Sequence, residues 1–196
     1  MIKVSDLNVK IFADGADKKG MFEMYAKEHI KGLTTNPTLM KKAGITDYRA
    51  FCKDILVTVT DKPLSFEVFS DDFNEMENQA LEISSWGENV NVKIPITNTK
   101  SESSLDLIKS LSKKGVKLNV TAIMTIEQIE KIISPLKEGP GGYVSVFAGR
   151  IADSGKNPLI TMKKSLEILA DDPKIELIWA SPRELYNVVQ ANDIGC

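Results

Sequence analysis

The sequence predicts a parallel α/β fold, and within that class a (β/α)8 barrel of the TIM type, from three observations. Short apolar runs alternate with segments in which apolar residues recur every three or four positions, as in strands followed by helices. Seven such units follow one another with short connections, which is more than an open doubly wound sheet usually contains. The sequence also lacks the Gly-x-Gly-x-x-Gly turn that such an open sheet often carries after its first strand.

The seven predicted strands are short and mostly apolar. They cover residues 9–13, 32–35, 64–69, 90–96, 117–124, 143–148 and 175–180. Between them, Phe73, Met76, Ala80 and Ile83 recur at helical spacing and predict an amphipathic helix after the third strand.

Several helix starts carry local signals. Asn36-Pro37 and Asn157-Pro158 each place an N-cap residue before a proline at the first helical position. Two capping boxes are also predicted, and their residue pairs are Thr125 with Gln128 and Ser181 with Glu184. These signals fix where four of the helices should begin.

We expect residues 1–196 to form a single barrel domain that is incomplete at its C-terminus. After the seventh strand one more helix is predicted, carrying Leu185, Val188 and Val189, and the sequence then ends at Cys196 where an eighth strand is due. An open seven-stranded barrel would leave backbone groups unpaired on strands one and seven. We therefore expect the natural protein to continue for one more strand–helix unit, on the order of 20 or more residues.

Composition excludes several classes of function. The 25 basic and 27 acidic residues give a net charge of -2, without the basic surplus that non-specific nucleic-acid binding needs. His29 is the only histidine, which excludes a multi-histidine metal site, and Cys52 and Cys196 make no disulfide framework. No apolar run suits a signal peptide or a membrane span, so we expect a cytoplasmic protein that does not bind membranes.

Polar residues interrupt the predicted strands on one face. In a closed parallel barrel both strand faces should be apolar unless function intervenes. Lys93 alternates with Val92 and Ile94, and Glu67 lies between Phe66 and Val68. The same face of later strands carries Asn119, Thr121, Ser145 and Phe147. Because burying unpaired charges is costly, converging charges at the strand ends predict an active site.

Simpler roles exist for most of these residues. Lys93 could be an edge-strand lysine or a structural ion-pair partner, and Asn119 with Thr121 could be a hydrogen-bonded core pair. Local roles elsewhere are a turn or cap for Asp14, an N-cap for Asn36 and Ser181, a strand position for Thr34, and the surface for Arg150 and Arg183.

Taken together, the segments resemble the transaldolase family, particularly its small-subunit branch. The matching segments span the whole chain and are Ala13-Asp14, Thr34-Thr35-Asn36-Pro37-Thr38, Phe66-Glu67-Val68, Val92-Lys93-Ile94-Pro95, Asn119-Val120-Thr121, Phe147-Ala148-Gly149-Arg150-Ile151-Ala152-Asp153 and Ala180-Ser181. The Thr-Thr-Asn-Pro and Gly-Arg-Ile-x-Asp segments are the most specific of these.

The resemblance implies an enzyme of the pentose phosphate pathway. It would transfer a dihydroxyacetone unit from a ketose phosphate, such as sedoheptulose 7-phosphate or fructose 6-phosphate, to glyceraldehyde 3-phosphate or erythrose 4-phosphate. The reaction would pass through a Schiff base on Lys93 and need neither a metal nor an organic cofactor. A homo-oligomer is also expected.

The resemblance assigns roles to the polar residues one by one. Asp14 would be the acid/base at the C4 hydroxyl, and Glu67, with Thr121 and a water, would move protons during imine formation. The dihydroxyacetone hydroxyls would be held by Asn36, Asn119 and Ser145, with Thr34 near Asp14. The phosphate would be bound by Arg150, with Ser181 and Arg183.

Two other functions compete with this one. Fructose-6-phosphate aldolase, in the same family, resembles this sequence except for glutamine at the position of Glu67 and tyrosine at that of Phe147. This sequence also departs from the family pattern at Pro182, because a larger apolar residue usually follows the strand-seven serine. The departure weakens the assignment of Arg183 as a phosphate ligand. A non-catalytic barrel that binds sugar phosphates is the second alternative, although such a binder has no need of a buried amine beside two carboxylates.

Overall fold

The computed structural model describes residues 3–196, in which seven strands alternate with nine α-helices. The strands are β1 (Ile11–Asp14), β2 (Ile30–Thr34), β3 (Leu64–Glu67), β4 (Val90–Pro95), β5 (Leu118–Ile123), β6 (Gly142–Val146) and β7 (Ile175–Trp179). The helices are α1 (Lys18–Tyr25), α2 (Pro37–Lys42), α3 (Tyr48–Thr58), α4 (Phe73–Ser84), α5 (Leu105–Lys113), α6 (Ile126–Lys137), α7 (Ala148–Asp153), α8 (Pro158–Leu169) and α9 (Tyr186–Ile194).

The seven strands form one parallel sheet whose spatial order is the chain order, β1 to β7. A doubly wound sheet reverses its strand order at a switch point, and this sheet does not. The sheet is curled, because the ring of Phe12 on β1 contacts the ring of Tyr143 on β6 with centroids 5.4 Å apart. The predicted fold class is therefore confirmed as a partial (β/α) barrel of seven strands.

The two edges of the sheet, β1 and β7, form no strand pair with each other within residues 3–196. Side chains connect the neighbouring segments instead. Lys10 forms an ion pair with Glu176 of β7, and the side-chain oxygen of Asn192 accepts hydrogen bonds from the backbone amides of Asn8 (2.8 Å) and Val9 (3.4 Å). The extent of the domain and an eighth strand remain predictions.

The core lies between the outer face of the sheet and the helices. Residues on the outward strand positions, such as Phe66 and Ile94, are fully buried. Of the predicted stripe of α4, Met76, Ala80 and Ile83 are buried and Phe73 is partly buried. This packing holds the strand ends in fixed positions relative to one another. Within the described residues, no helix combines the length and apolar character that a membrane span requires.

Three of the four predicted helix starts are confirmed. Asn36 and Asn157 cap α2 and α8, each ahead of a proline, and Thr125 forms a capping box with Gln128 at α6. Helices α1, α3 and α7 are not predicted by the sequence patterns, although Asp17 and Asp47 cap the first two through side-chain hydrogen bonds. Strand β6 ends before residue 148 because α7 begins there.

The predicted capping box of Ser181 and Glu184 is wrong. Helix α9 begins at Tyr186, and Ser181 lies in the left-handed region with φ of 60°. The amide oxygen of Asn187 accepts from the backbone amides of Arg183 (2.7 Å) and Glu184 (3.2 Å). Because Asn187 satisfies these amides from inside the helix, the turn before α9 needs no serine cap.

Candidate active site

The predicted catalytic residues lie at the carboxyl ends of neighbouring strands. In the parallel registers, Asp14 is opposite Thr34, Glu67 is opposite Lys93, and Lys93 is opposite Asn119. Residues that are opposite each other in a parallel ladder point to the same side of the sheet. The curl of the sheet makes that side the inside of the partial barrel, which we call the lumen.

Lys93 is the central residue of this group. Only 8% of the residue is exposed, and its strand β4 is the middle strand of the sheet, so the edge-strand alternative is wrong. Its Nζ atom lies 3.1 Å from Oε2 of Glu67 and donates a hydrogen bond to the backbone carbonyl of Thr35 at 3.2 Å. The carbonyl of Thr35 is a contact that sequence reasoning missed, because a backbone atom carries no sequence signal.

Asn119 is held by hydrogen bonds that span the lumen. Its Nδ2 donates to Oγ of Ser65 on β3 at 3.1 Å, and its Oδ1 accepts from Oγ of Ser145 on β6 at 2.7 Å. All three residues are buried. Ser65 was not predicted as a site residue, although it lies two positions before Glu67 and therefore on the same strand face. The network fixes the orientation of the Asn119 amide.

Thr121 lies next to a distortion in β5. The residue is almost fully buried and is opposite Pro95 in the register. The register then shifts between Val120 and Ile123, and Ala122 has a φ of 61°. A non-glycine residue in this region costs on the order of 1–3 kcal/mol, and such strain often occurs at active sites. The sequence pattern, which predicted regular alternation through Ala122, gave no sign of this distortion.

Asp14, at the end of β1, has a perturbed carboxyl group. Burial among the strand ends raises the pKa of Asp14 above its ordinary value, while the positive charge of Lys93 opposes that rise and the negative charge of Glu67 adds to it. Solvent still reaches Asp14, because β1 is an edge of the sheet, and the desolvation is therefore partial. A carboxyl group with a raised pKa, close to an amine, suits general acid/base work.

Asn36 and Thr34 lie on either side of the β2 carboxyl end. The Oδ1 atom of Asn36 accepts from the backbone amide of Leu39 at 2.9 Å, so this side chain is the N-cap of α2. Thr34 is half-buried between Asp14 and Ser65 in the strand registers. The predicted N-cap role of Asn36 is therefore confirmed. Because the cap uses Oδ1, the Nδ2 group is the part of the side chain that can bind a substrate.

Arg183 and Ser181 interact with each other after β7. The Nη1 group of Arg183 donates to both the backbone oxygen and Oγ of Ser181 at 2.9 Å. Its Nε group donates to the carboxylate of Asp153 at 2.9 and 3.0 Å, and Nη2 donates to the same carboxylate. This pairing lowers the pKa of Asp153 and occupies most of the five N–H groups of the guanidinium. Asp153 had not been predicted to contact the site.

Arg150 and Phe147 lie together at the start of α7. The guanidinium of Arg150 is 5.4 Å from the centroid of the Phe147 ring, a cation–π contact, and the arginine is exposed. Arg150 forms no ion pair with any residue from 3 to 196. Gly149, between them, packs so closely that a Cβ there would meet the backbone oxygen of Ser181 at 1.7 Å. Arg150, Ser181 and Arg183 therefore occupy one region of the barrel rim.

Comparisons with known proteins agree on one family. Residues 11–196 match the model of the family described as Transaldolase/Fructose-6-phosphate aldolase. A protein named "Probable transaldolase" from Dehalococcoides mccartyi is 32% identical over 188 residues, covering 95% of this chain and 83% of that protein. Proteins of the same name from Caldicellulosiruptor saccharolyticus and a Thermoanaerobacter species are 34% and 35% identical, covering 95% of this chain and 82% of each relative.

Proposed function

Because the chain belongs to the transaldolase/fructose-6-phosphate aldolase family, we propose that it is a transaldolase that acts through a Schiff base on Lys93. The observation that carries this proposal is the placement of Lys93. Its amine is buried at the centre of the lumen, 3.1 Å from Glu67, and its charge influences Asp14. An amine between two carboxyl groups has both the nucleophile and the proton carriers that imine chemistry needs.

The proposed reaction starts at the ketone of the donor. The neutral amine of Lys93 adds to C2, and the carbinolamine loses water to give a protonated imine. Glu67, with Thr121 and a bound water, accepts and returns the protons of this step. Asp14 then removes the proton of the C4 hydroxyl while the bond between C3 and C4 breaks. The electron pair moves to the imine nitrogen and forms an enamine, and an aldose phosphate leaves.

The second half of the reaction reverses these steps with another aldose phosphate. The enamine carbon attacks the acceptor aldehyde, Asp14 returns a proton to the new hydroxyl, and water releases the product from Lys93. Asn119 and Ser145, whose hydrogen bonds fix their orientation, would bind the dihydroxyacetone hydroxyls together with Asn36 and Thr34.

Arg150 is the principal phosphate ligand in this proposal. It forms no ion pair within the described residues, whereas Arg183 already donates to Asp153 and Ser181. Arg150 can therefore form a charge-assisted hydrogen bond with a phosphate without first breaking an ion pair with a carboxylate of the protein. Ser181 and Arg183 would then complete the phosphate site from the neighbouring loop.

Sugar phosphates are the proposed substrates. The donors are sedoheptulose 7-phosphate and fructose 6-phosphate, and the acceptors are glyceraldehyde 3-phosphate and erythrose 4-phosphate. A cytoplasmic location and a homo-oligomer remain predictions. Glu67 and Phe147 favour transfer over the simple cleavage carried out by a fructose-6-phosphate aldolase.

Borohydride trapping tests the proposal directly. The protein is incubated with fructose 6-phosphate and borohydride, and the modified peptide is identified by mass spectrometry. We expect one reduced adduct, on Lys93, that requires the sugar. Incubation with borohydride alone is the control. An adduct on a different lysine, or none while transfer proceeds, would refute the proposed mechanism, and binding of sugar phosphates without any turnover would favour a non-catalytic barrel.

A further inference from the structure

The backbone carbonyl of Glu67 lacks the strand partner that its position calls for. On β3, the carbonyl of Ser65 accepts from the backbone amide of Thr35 at 3.1 Å. In a parallel ladder the next donor would be two residues further along the neighbouring chain. That residue is Pro37, which has no N–H group and opens α2. The ladder of hydrogen bonds between β2 and β3 therefore ends at the carbonyl of Ser65, and β2 provides no donor for the carbonyl of Glu67.

A tyrosine hydroxyl supplies the missing bond. Tyr48, the first residue of α3, donates its hydroxyl to the carbonyl oxygen of Glu67 at 2.8 Å. Asp47 fixes the start of this helix, because its side chain accepts from the backbone amide of Ala50 at 2.9 Å. Burial raises the pKa of Tyr48 and proximity to Cys52 raises it further, so the hydroxyl stays a donor over the whole physiological range.

The ring of Tyr48 is held by other aromatic side chains, which we call the aromatic cluster: Tyr48, Phe66, Phe69 and Trp86. Tyr48 contacts Phe66 and Phe69 edge-on, with centroids 6.3 and 4.3 Å away, and Trp86 lies 5.9 Å from both Tyr48 and Phe66. Phe66 and Phe69 flank Glu67 in the sequence. The cluster thus fixes both the hydroxyl donor and the chain on either side of its acceptor.

We propose that Tyr48 is a positioning residue that holds the end of β3 so that the carboxylate of Glu67 reaches Lys93. This inference rests on the proposed function for its catalytic consequence. Glu67 and Lys93 meet at 3.1 Å with little solvent around them. Such a contact depends on backbone position, since a displacement of about 1 Å can cost on the order of a hundredfold in rate. Tyr48 itself contacts the backbone of Glu67 and not the reacting groups.

The first experiment replaces only the hydroxyl, with Tyr48→Phe. Adduct formation with fructose 6-phosphate is followed by rapid mixing and a borohydride quench. We expect imine formation to slow about five- to tenfold, the rate equivalent of one neutral hydrogen bond, with KM nearly unchanged. Trp86→Phe is the matched control, because it keeps an aromatic ring in the cluster and the hydrogen bond from Tyr48 to Glu67, so it should slow imine formation less than Tyr48→Phe does. An unchanged rate in Tyr48→Phe, or the same loss in Trp86→Phe, would overturn the proposal.

A double-mutant cycle then separates positioning from general weakening. In a Glu67→Gln background the proton carrier is already lost, so adding Tyr48→Phe should slow imine formation little further. A merely structural effect would slow both backgrounds equally, and that result would count against Tyr48 as a positioning residue.

A substrate-free measurement distinguishes failure of this inference from failure of the proposed function. The coupling free energy between Lys93→Met and Glu67→Gln is measured by denaturant unfolding, with and without Tyr48→Phe. We expect Tyr48→Phe to reduce that coupling by about half or more, because the pair is no longer held at contact distance. An undiminished coupling refutes the positioning role. A reduced coupling in a protein that forms no adduct on Lys93 refutes the proposed function and leaves the positioning role standing.

Discussion

The side-chain nitrogen of Lys93 lies 3.1 Å from a carboxylate oxygen of Glu67, and the two residues are opposite each other in neighbouring strands. Their side chains are only 11% and 19% exposed. Removing two charges from water costs free energy, and this desolvation offsets much of their mutual attraction. A buried ion pair therefore contributes little net stability. Its placement at the strand ends therefore points to a chemical use.

Lys93→Met should abolish both the borohydride-trapped adduct and turnover, because methionine fills a similar volume without an amine. The protein should still fold but lose stability, since Glu67 loses its ion-pair partner. The loss should stay below the roughly 3–5 kcal/mol of a fully buried pair, because some solvent reaches Glu67. Trapping assays and denaturant unfolding measure the two effects.

The double variant Lys93→Met with Glu67→Gln is the control for this prediction. It should regain part of the lost stability and none of the activity, because glutamine needs no counter-charge. Full activity in Lys93→Met would contradict the proposed mechanism.

Asp14→Asn should make the protein slightly more stable at neutral pH. The pKa of Asp14 is raised in the folded state, so folding favours its protonated form. Protonated Asp14 contributes its full share of the folding free energy when the pH is below its ordinary pKa of 3.8. That contribution is lost as the pH rises through the pKa of Asp14 in the folded state. Asparagine stays neutral at every pH, so the variant does not lose this contribution at neutral pH. The increase in the free energy of unfolding should be well under about 1 kcal/mol, because solvent reaches the side chain.

Unfolding at pH 7 and near pH 3 checks the sign, since the advantage of Asp14→Asn should vanish in acid. The same variant should still form the Lys93 adduct while transfer stops, because Asp14 acts after imine formation. An equal advantage at both pH values would show that the carboxyl group is not responsible.

Phe147→Tyr should raise the rate at which fructose 6-phosphate is cleaved without an acceptor. A phenol at this position can hydrogen-bond the water that discharges the dihydroxyacetone adduct, and the phenyl ring cannot. Wild-type protein should release little dihydroxyacetone until erythrose 4-phosphate is added. A coupled assay for free dihydroxyacetone makes the comparison.

Phe147→Leu is the matched control for the contact with Arg150, since it removes the ring without adding a hydroxyl. If wild-type protein releases dihydroxyacetone rapidly without an acceptor, the aldolase alternative is correct.

Arg150→Ala should weaken the binding of phosphorylated donors by roughly 1.5–3 kcal/mol, the contribution of a charge-assisted hydrogen bond. The change should appear as a higher KM for fructose 6-phosphate and leave unphosphorylated fructose nearly unaffected. Equal losses on both sugars would mean that Arg150 acts on the fold. Steady-state kinetics with the two sugars decide between these outcomes.

Arg183→Ala is the comparison for Arg150. Because Arg183 ties Ser181 to Asp153, its removal should also lower thermal stability by loosening the left-handed turn at Ser181. Arg150→Ala should leave thermal stability nearly unchanged, since its side chain is exposed and contacts the ring of Phe147 without an ion pair among the described residues.

The order of the seven strands and the strand positions that carry polar side chains could be predicted from the sequence alone. Periodicity and capping depend on residues a few positions apart, so Asn36, Thr125 and Asn157 could be identified as N-caps from their neighbours alone. Lys93 and Glu67 could be selected because a charged residue between apolar strand residues is costly wherever the strand lies.

Tertiary structure alone decided which groups these side chains meet. The contacts of Lys93 with the carbonyl of Thr35, of Tyr48 with the carbonyl of Glu67 and of Arg183 with Asp153 join residues 58, 19 and 30 positions apart. No local pattern encodes them, because they arise only when the curl of the sheet and the packing of the helices bring distant segments together. At Ser181 the neighbouring residues favour a helix cap. In the folded chain its Oγ instead accepts from Arg183, whose guanidinium is also held by Asp153 thirty positions away, and Ser181 adopts a left-handed conformation.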